Sequence, residues 1–281
     1  SGITGITVNA GTLTLSGANT FVGDIALNAG TLNINHASAL GNAANRLTIA
    51  AGTTIDAATA ISVTNTNPQT WNGNFTFTGT NNLTFGTGAI TLGANVQITT
   101  SASTLTVGGI ISGNYNITKA GAGTLTISSN YTLTANRVFT VNAGEFIFSG
   151  VVSGAYNIEK AGSGTLTLSN NNDFAGSVTV SAGTLTLSGI NSGITGITVN
   201  AGTLTLSGAN TFNANTTLNA GTLNINHAQA LGDSNDNILI INGGTLNNSS
   251  AAAIVMTYNH PIQLNGNFTF TGTKNLTFGT G

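Results

Sequence analysis

The chain has 281 residues, and only 4% of them are charged, against about 25% in ordinary soluble proteins. With five Lys and Arg residues and a formal net charge of −2 it offers no basic patch, so we expect no nucleic-acid partner. Hydrophobic residues make up 40% of the chain, which argues against disorder, and no long apolar segment predicts a membrane span. Cysteine is absent, so disulfides contribute nothing to stability.

A long repeat organises the sequence. Ser1–Thr20 recur letter for letter as Ser192–Thr211, and the likeness continues until residues 1–88 correspond to residues 192–281. A shorter phrase, Gly-Thr-Leu-Thr-Leu or a variant of it, recurs inside the long repeat and returns every 19 residues from Gly164 to Gly221. A strand-like phrase with a period near twenty residues predicts a solenoid.

Apolar and polar residues alternate within each phrase with the period of a β-strand. The phrases recur at about twice the 8–12-residue spacing that is typical of antiparallel turns. The predicted fold is therefore all-β: a parallel β-helix (β-solenoid) with about twenty residues per coil, roughly fourteen coils and an axis of roughly 65–70 Å at ~4.8 Å per coil. Asn35–Leu40 and Asn226–Leu231 are the best short helical candidates, and we expect both to be loops.

Stacked coils place like residues above one another, which predicts an apolar bore and a polar outer face. Asn9 over Asn28, and Asn200 over Asn219, should form amide ladders. The leucines expected in the bore are Leu13, Leu32, Leu125, Leu166, Leu185, Leu204 and Leu223, with Thr12, Thr14, Thr184 and Thr186 outside. The phenylalanines expected to fill its wider parts are Phe75, Phe77, Phe85, Phe146, Phe148, Phe268, Phe270 and Phe278.

A second internal repeat lies in the middle of the chain, where Val107–Ser128 resemble Phe148–Ser169 and Lys119 corresponds to Lys160. The adjacent charges of Glu159 and Lys160 predict a solvated surface feature.

Few residues could support catalysis or bind a metal. His36 and His227 occupy the same repeat position with no acidic residue near them in sequence, so we expect turn histidines rather than catalytic bases. The acids are Asp24, Asp56, Glu145, Glu159, Asp173, Asp233 and Asp236. Only Asp233 and Asp236 are close in sequence, and a polar loop is a better interpretation of them than a Ca²⁺ site. We therefore expect no catalytic, cofactor-binding or metal-binding residue and no cofactor.

The run Lys160–Ser169, followed by Phe174–Leu187, resembles the passenger-associated transport repeat, also called the autotransporter-associated β-strand repeat, of type V secreted passengers of Gram-negative bacteria. Weaker likenesses cover Gly11–Gly41, Lys119–Ile127 and Gly202–Gly232. The resemblance implies a right-handed parallel β-helix that is exported and displayed at the cell surface.

These observations predict a non-enzymatic extracellular shaft or fibre building block of a bacterial surface protein, such as an adhesin stalk or passenger, associated with the outer membrane. We expect residues 1–281 to be one continuous solenoid and a fragment of a longer array, because Ser1 and Gly281 both fall inside repeats. Expected partners are other copies, bound end to end or laterally, and a host or matrix surface. Two alternatives stay open: an ice-binding β-solenoid, and a fragment of a polysaccharide-active β-helix enzyme.

Overall fold

A computed structural model of the chain describes residues 2–272 and 274–279. The protein is all-β, with parallel strands stacked as a β-solenoid of about 13 turns whose paired strands lie about 21 residues apart. The predicted fold class is confirmed, and the number of turns is close to the prediction. The described residues contain no helix, and therefore none long and apolar enough to cross a membrane. The segments around His36 and His227 are turns, as expected.

The strands are short, from two to five residues each. In chain order they are β1 Ile6–Val8, β2 Thr12–Leu15, β3 Ile25–Leu27, β4 Thr31–Ile34, β5 Leu47–Ile49, β6 Thr53–Asp56, β7 Ile61–Ser62, β8 Gln69–Trp71, β9 Phe75–Phe77, β10 Leu83–Phe85, β11 Ile90–Leu92, β12 Val96–Thr100, β13 Thr104–Val107, β14 Ile111–Ser112, β15 Ile117–Ala120, β16 Thr124–Ile127, β17 Tyr131–Thr132, β18 Arg137–Val141, β19 Glu145–Phe148, β20 Val152–Ser153, β21 Ile158–Ala161, β22 Thr165–Leu168, β23 Ser177–Val180, β24 Thr184–Leu187, β25 Gly196–Val199, β26 Thr203–Leu206, β27 Thr216–Leu218, β28 Thr222–Ile225, β29 Leu239–Ile241, β30 Thr245–Asn247, β31 Ile254–Val255, β32 Ile262–Leu264, β33 Thr269–Phe270 and β34 Leu276–Thr277.

The first of two compact units comprises residues 1–131 and 142–149. Its strands form three parallel sheets: sheet A in the order β1-β3-β5-β8-β11-β14, sheet B in the order β2-β4-β6-β9-β12-β15, and sheet C in the order β7-β10-β13-β16-β19. The pairing follows the repeat, because Leu13 pairs with Leu32 and Thr12 with Thr31. Buried rings fill the interior, where Trp71 packs edge-on against Phe75 with ring centroids 5.3 Å apart.

The second unit comprises residues 132–141 and 150–281. Sheet D has the order β18-β21-β23-β25-β27-β29-β32, sheet E the order β22-β24-β26-β28-β30-β33, and β31 pairs with β34. The Thr-Leu-Thr-Leu phrases of β22, β24 and β26 pair residue for residue, so that Leu166, Leu185 and Leu204 share one column. The 19-residue period read from the sequence is therefore the register of the sheet.

The glycine that opens the phrase before β26 is required by a close approach between turns. Gly202 has φ 71°, a left-handed conformation that other L-residues rarely adopt. A Cβ atom at Gly202 would lie 2.3 Å from the carbonyl oxygen of Gly183, one turn earlier. Glycine therefore lets the chain bend where neighbouring turns nearly touch, and the strand starts directly after the bend.

The predicted bore leucines are buried with one exception. Leu13, on the first described turn, is half-buried, whereas the other six are 0% exposed. Thr12 and Thr14 are exposed, and Thr184 and Thr186 are half-buried on the outer side. The prediction for the phenylalanines is correct for the five in the first unit but wrong for Phe268 and Phe270, which are 39% and 46% exposed. Phe268, Phe270 and Phe278 instead line an open cavity of about 170 Å³, together with Leu246 and Leu276.

Candidate functional site

Lys160 lies inside the solenoid, and the prediction of a solvated Glu159–Lys160 surface feature is wrong for this residue. On β21 it pairs with Phe139 of one neighbouring strand and Val180 of the other, so it occupies a core column of sheet D. The residue is 0% exposed. Its Nζ donates hydrogen bonds to the carbonyl oxygens of Ala161 at 2.8 Å, Gly162 at 2.7 Å and Ala182 at 3.1 Å.

Lys119 has the same environment in the first unit. It is 0% exposed and pairs with Ile98 in sheet B. Its Nζ donates to the carbonyl oxygens of Ala120 at 2.8 Å, Gly121 at 2.7 Å and Ala143 at 3.2 Å. Because an ammonium has three donors, each lysine is fully satisfied by backbone carbonyls at the bend of its own turn and at the next turn.

Burial determines the chemistry of both lysines. Loss of hydration disfavours the charged amine and lowers the pKa of Lys119 and of Lys160 from 10.5 to about 8. Both amines therefore remain mostly protonated at neutral pH, held by carbonyl dipoles. An amine enclosed in this way joins two turns and is inaccessible to a substrate, so we assign it a structural role.

The sequence contains a signal for this arrangement. Lys160 follows the buried Ile158 by two residues, and successive residues of a strand point to opposite faces. Lys160 therefore belongs to the inward face by period, whereas Glu159 belongs to the outward face. The carboxylate of Glu159 accepts a hydrogen bond from the Ser181 hydroxyl at 2.6 Å, one turn on.

Exposed asparagine side chains form the ladders predicted from the repeat. Asn28 Nδ2 donates to Asn9 Oδ1 at 2.9 Å. In the second unit Asn219 donates to Asn200 at 2.8 Å, and the ladder continues through Asn242 and Asn265 with distances of 2.6 and 2.8 Å. Asn219 and Asn242 thus each donate to one turn and accept from another.

A second asparagine ladder is buried, and it was not predicted. Asn172, Asn191 and Asn210 are at most 2% exposed. Asn172 Nδ2 donates to Asn191 Oδ1 at 3.1 Å, and Asn191 Nδ2 donates to Asn210 Oδ1 at 2.8 Å. Asn210 Nδ2 ends the ladder on the carbonyl oxygen of Ala230 at 2.8 Å. These residues follow one another at 19-residue intervals, the same spacing as the glycines, so the signal was present in the sequence.

Corner asparagines connect the turns in a third way. The side-chain oxygen of Asn136 accepts the backbone N–H of Asn157 at 3.0 Å, and Asn157 in turn accepts the backbone N–H of Ser177 at 2.8 Å. Asn74 accepts from the backbone of Gln97 at 2.7 Å in the first unit. A strand end that would otherwise leave an orphan donor is satisfied by the turn below it.

The outer face of sheet E carries two columns of threonine. In the first column each threonine pairs with the one on the next strand, in the order Thr165, Thr184, Thr203 and Thr222. The second column lies beside it and consists of Thr167, Thr186 and Thr205, followed by Asn224. Neighbouring strands of a sheet lie about 4.7–4.9 Å apart, so the hydroxyl and methyl groups repeat at that interval.

The histidines lie in two kinds of environment. His36 Nδ1 accepts the backbone N–H of Ser38 at 3.0 Å, and His227 Nδ1 accepts that of Gln229 at 3.0 Å, so both imidazoles close turns. His260 is 3% exposed and contacts the Asn237 carbonyl.

The acidic side chains that the structure describes do not gather into a metal-binding cluster. Asp24 accepts the backbone N–H of Arg46 at 2.8 Å, and Asp56 accepts from the backbone and hydroxyl of Thr80 at 3.0 and 2.6 Å. Asp233 and Asp236 are exposed on the loop before β29. Within residues 2–272 and 274–279, no three His, Cys, Asp or Glu side chains come together to hold a metal ion.

These columns and ladders define a repeat protein of the parallel β-solenoid class. The family model of the passenger-associated transport repeat matches residues 4–34, 117–146, 158–187, 182–205 and 199–225. The chain therefore carries passenger-associated transport repeats, and the resemblance found in the sequence is confirmed. Neither a curated protein nor a solved structure matches the chain.

Proposed function

We propose that the chain is a non-enzymatic structural shaft of a bacterial surface protein, the stalk or passenger region of an adhesin, and that it works outside the cell at the outer membrane. The observation that carries the proposal is the recurrence of passenger-associated transport repeats in both units, on turns whose strands pair residue for residue. Such ladders make every turn the template for the next, so the segment resists bending and stretching without a bound ligand.

The internal chemistry supports a mechanical role. Bore positions hold close-packed Leu, Ile, Val and Phe side chains, and three of the polar side chains that enter the interior, Lys119, Lys160 and Asn191, bond to neighbouring turns. Buried polar groups that are satisfied only in one register penalise every other register. Stability and correct stacking thus come from the same contacts.

The test of a surface shaft is display of the chain between a secretion signal and an outer-membrane anchor, with an epitope tag at its free end. Leu204→Asp places a charge in the core column, and Thr205→Asp is a matched change on the outer face. We expect antibody labelling of intact cells and protease resistance for the unchanged chain and for Thr205→Asp, with loss of both for Leu204→Asp. Absence of labelling with the unchanged chain, or release of reducing ends from a panel of polysaccharides by the purified chain, would contradict the proposal.

We also propose that copies associate laterally and end to end and that the shaft contacts a host or matrix surface. Only 4% of residues are charged, so little electrostatic repulsion opposes contact between copies. Amide and hydroxyl ladders line the outer surface, and one of them consists of Asn200, Asn219, Asn242 and Asn265. Such a ladder can form hydrogen bonds with the equivalent ladder of another copy. Sedimentation velocity over a hundredfold concentration range is expected to show growth of assemblies, whereas a concentration-independent monomer would contradict self-association.

Ice binding is a second candidate function, favoured by the paired threonine columns of sheet E. Ordered hydroxyl and methyl groups at a constant interval form a regular grid that can match a water lattice. Thermal hysteresis of the purified chain is the measurement. A hysteresis that Thr184→Tyr and Thr203→Tyr abolish would support this function, and its absence in the unchanged chain would remove it.

A further inference from the structure

His260 occupies a position that has a non-titrating counterpart in the same chain. Asn67-Pro68 of the first long repeat corresponds to His260-Pro261 of the second. The proline carbonyl accepts a backbone N–H in both places, from Leu47 at 2.9 Å and from Leu239 at 2.9 Å. The two turns therefore have the same backbone connection, and the side chain before proline is one of the positions at which they differ.

The two side chains reach the same backbone region. Asn67 is 3% exposed, and its Nδ2 donates to the carbonyl oxygens of Asn42 at 2.8 Å and Asn45 at 3.0 Å. His260 is also 3% exposed, and its Nδ1 lies 3.3 Å from the carbonyl oxygen of Asn237, the counterpart of Asn45. A carbonyl oxygen only accepts, so the neutral ring carries its proton on Nδ1.

The other ring nitrogen determines the response to acid. Nε2 of His260 is buried and has no hydrogen-bond partner among the described residues. Protonation would add an N–H donor there, without an acceptor, and would place a positive charge in a desolvated site. Burial lowers the pKa of His260 below its ordinary 6.5, although the bond to the Asn237 carbonyl acts in the opposite direction.

The ionisable groups around the ring do not offset this cost. The Tyr258 ring lies at a centroid distance of 6.3 Å and contributes no positive or negative partner in the contact that the structure shows. Asp236 is the neighbour of Asn237 along the chain, and its side chain is exposed. Lys274, on the following turn, is also exposed and carries the same sign of charge as a protonated imidazole.

We propose that His260 is an acid-sensitive clasp, whose protonation releases the turn before Pro261 from the turn that carries Asn237, while the Asn67 turn of the first repeat stays closed. Below pH 6.5 the unfolded or opened segment binds a proton that the closed segment does not. The free energy that holds the turn closed therefore falls as pH falls, until the pH reaches the pKa of the closed state.

Hydrogen exchange on the full chain tests the clasp, with peptides covering 235–264 and 43–71 compared from pH 7.5 to 5.0 after correction for intrinsic exchange rates. In the unchanged chain we expect protection of 235–264 to fall by up to tenfold per pH unit below 6.5, with protection of 43–71 unchanged. His260→Asn copies the first repeat and should remove this dependence, whereas Asn67→His should introduce it into 43–71. His227→Gln is the control, because its half-buried turn imidazole should leave both profiles as they are.

A pH titration of the His260 ring signals by NMR provides a measurement that needs no variant. The clasp requires His260 to remain in the Nδ1–H tautomer well below pH 6.5, and to titrate only as 235–264 opens. Titration at an ordinary histidine pKa, or equal pH dependence of 235–264 in the unchanged chain and in His260→Asn, would overturn the proposal.

Discussion

The two long repeats give the same residues different environments. Phe75 and Phe77 of the first repeat are 2% and 0% exposed, whereas their counterparts Phe268 and Phe270 are 39% and 46% exposed. In the first repeat, strand β12 pairs on β9 and places Ile98 beside Phe75. No described strand pairs on the far side of β33. Burial in a solenoid thus depends on the adjacent turns as well as on the direction of the side chain, since a large inward-pointing ring is fully covered when a turn lies on each side of it.

Truncation of a covered ring and of its uncovered counterpart is the strongest test of this comparison. Phe77→Ala should lower the free energy of unfolding by about 3–5 kcal/mol, because it leaves a cavity in a closed core. Phe270→Ala removes a ring that is already nearly half exposed, so its cost should be less than half as large. Urea unfolding of both variants is the measurement. Trp71, the single tryptophan, reports on the first repeat by fluorescence, and equal losses for the two variants would contradict the argument.

Removal of a carbonyl-bound lysine should have the next largest effect, and it should be alike in both units. Lys160→Ala and Lys119→Ala each leave three carbonyls without their donor and create a cavity, for an expected loss of about 3–4 kcal/mol. Lys160→Met keeps most of the packing and should cost about half as much. Lys274→Ala is the matched control, because Lys274 is exposed and its loss should be within about 0.5 kcal/mol of zero. If Lys160→Ala left the free energy of unfolding in urea unchanged, the three hydrogen bonds would not stabilise the turn.

The same two lysines predict how stability depends on alkaline pH. Their pKa is about 8 when folded and 10.5 when unfolded, so the unfolded chain binds more protons between these values. Stability should therefore rise from pH 8 to 10.5, by no more than about 3 kcal/mol for each lysine, and this gain is absent below pH 8. Urea midpoints measured across this range check the sign. The double variant Lys119→Met, Lys160→Met should show little change of stability with pH over this range. A fall in stability from pH 8 to 10.5, equal in the unchanged chain and in the double variant, would contradict the prediction.

The smallest expected difference separates the buried and exposed amide ladders. Asn191→Ala removes a buried amide that accepts from Asn172 and donates to Asn210, so it should cost about 1–3 kcal/mol. Asn219→Ala removes an exposed member of the other ladder, where water replaces the lost bonds, and should cost about 0.5 kcal/mol or less. Thermal unfolding of the two variants in parallel is sufficient. A larger loss for Asn219→Ala would mean that the outer ladder, rather than the inner one, fixes the register.

The register of the sheets could be predicted because the repeat specifies it directly. Leu166, Leu185 and Leu204 stand in identical phrases, and identical phrases gain the most contact when they stack in phase. The exposure of Phe268 could not be predicted from alternation alone. Alternation shows which way a side chain points, whereas exposure depends on a neighbouring turn.

The buried polar groups were the least predictable part of the candidate site. Charge alone predicts a solvated Lys160, because an isolated ammonium is costly to bury. The cost is offset by three carbonyls that become available only after the bend at Gly162 has formed, and that bend is not visible in the identity of the lysine. Asn172, Asn191 and Asn210 lie outside the Gly-Thr-Leu phrase, so hydropathy marks them as loop residues although their spacing equals the period of the sheet.

The one-to-one stacking of β22, β24, β26 and β28 has a consequence for how such a gene can change. If residues 183–201 were deleted, Thr203 would take the place of Thr184, Leu204 that of Leu185 and Asn210 that of Asn191. The threonine, leucine and asparagine columns would close again with the same kind of neighbour above and below. Unequal recombination between the copies can therefore lengthen or shorten the protein by whole turns, and the chain's reach becomes a heritable trait that varies in discrete steps.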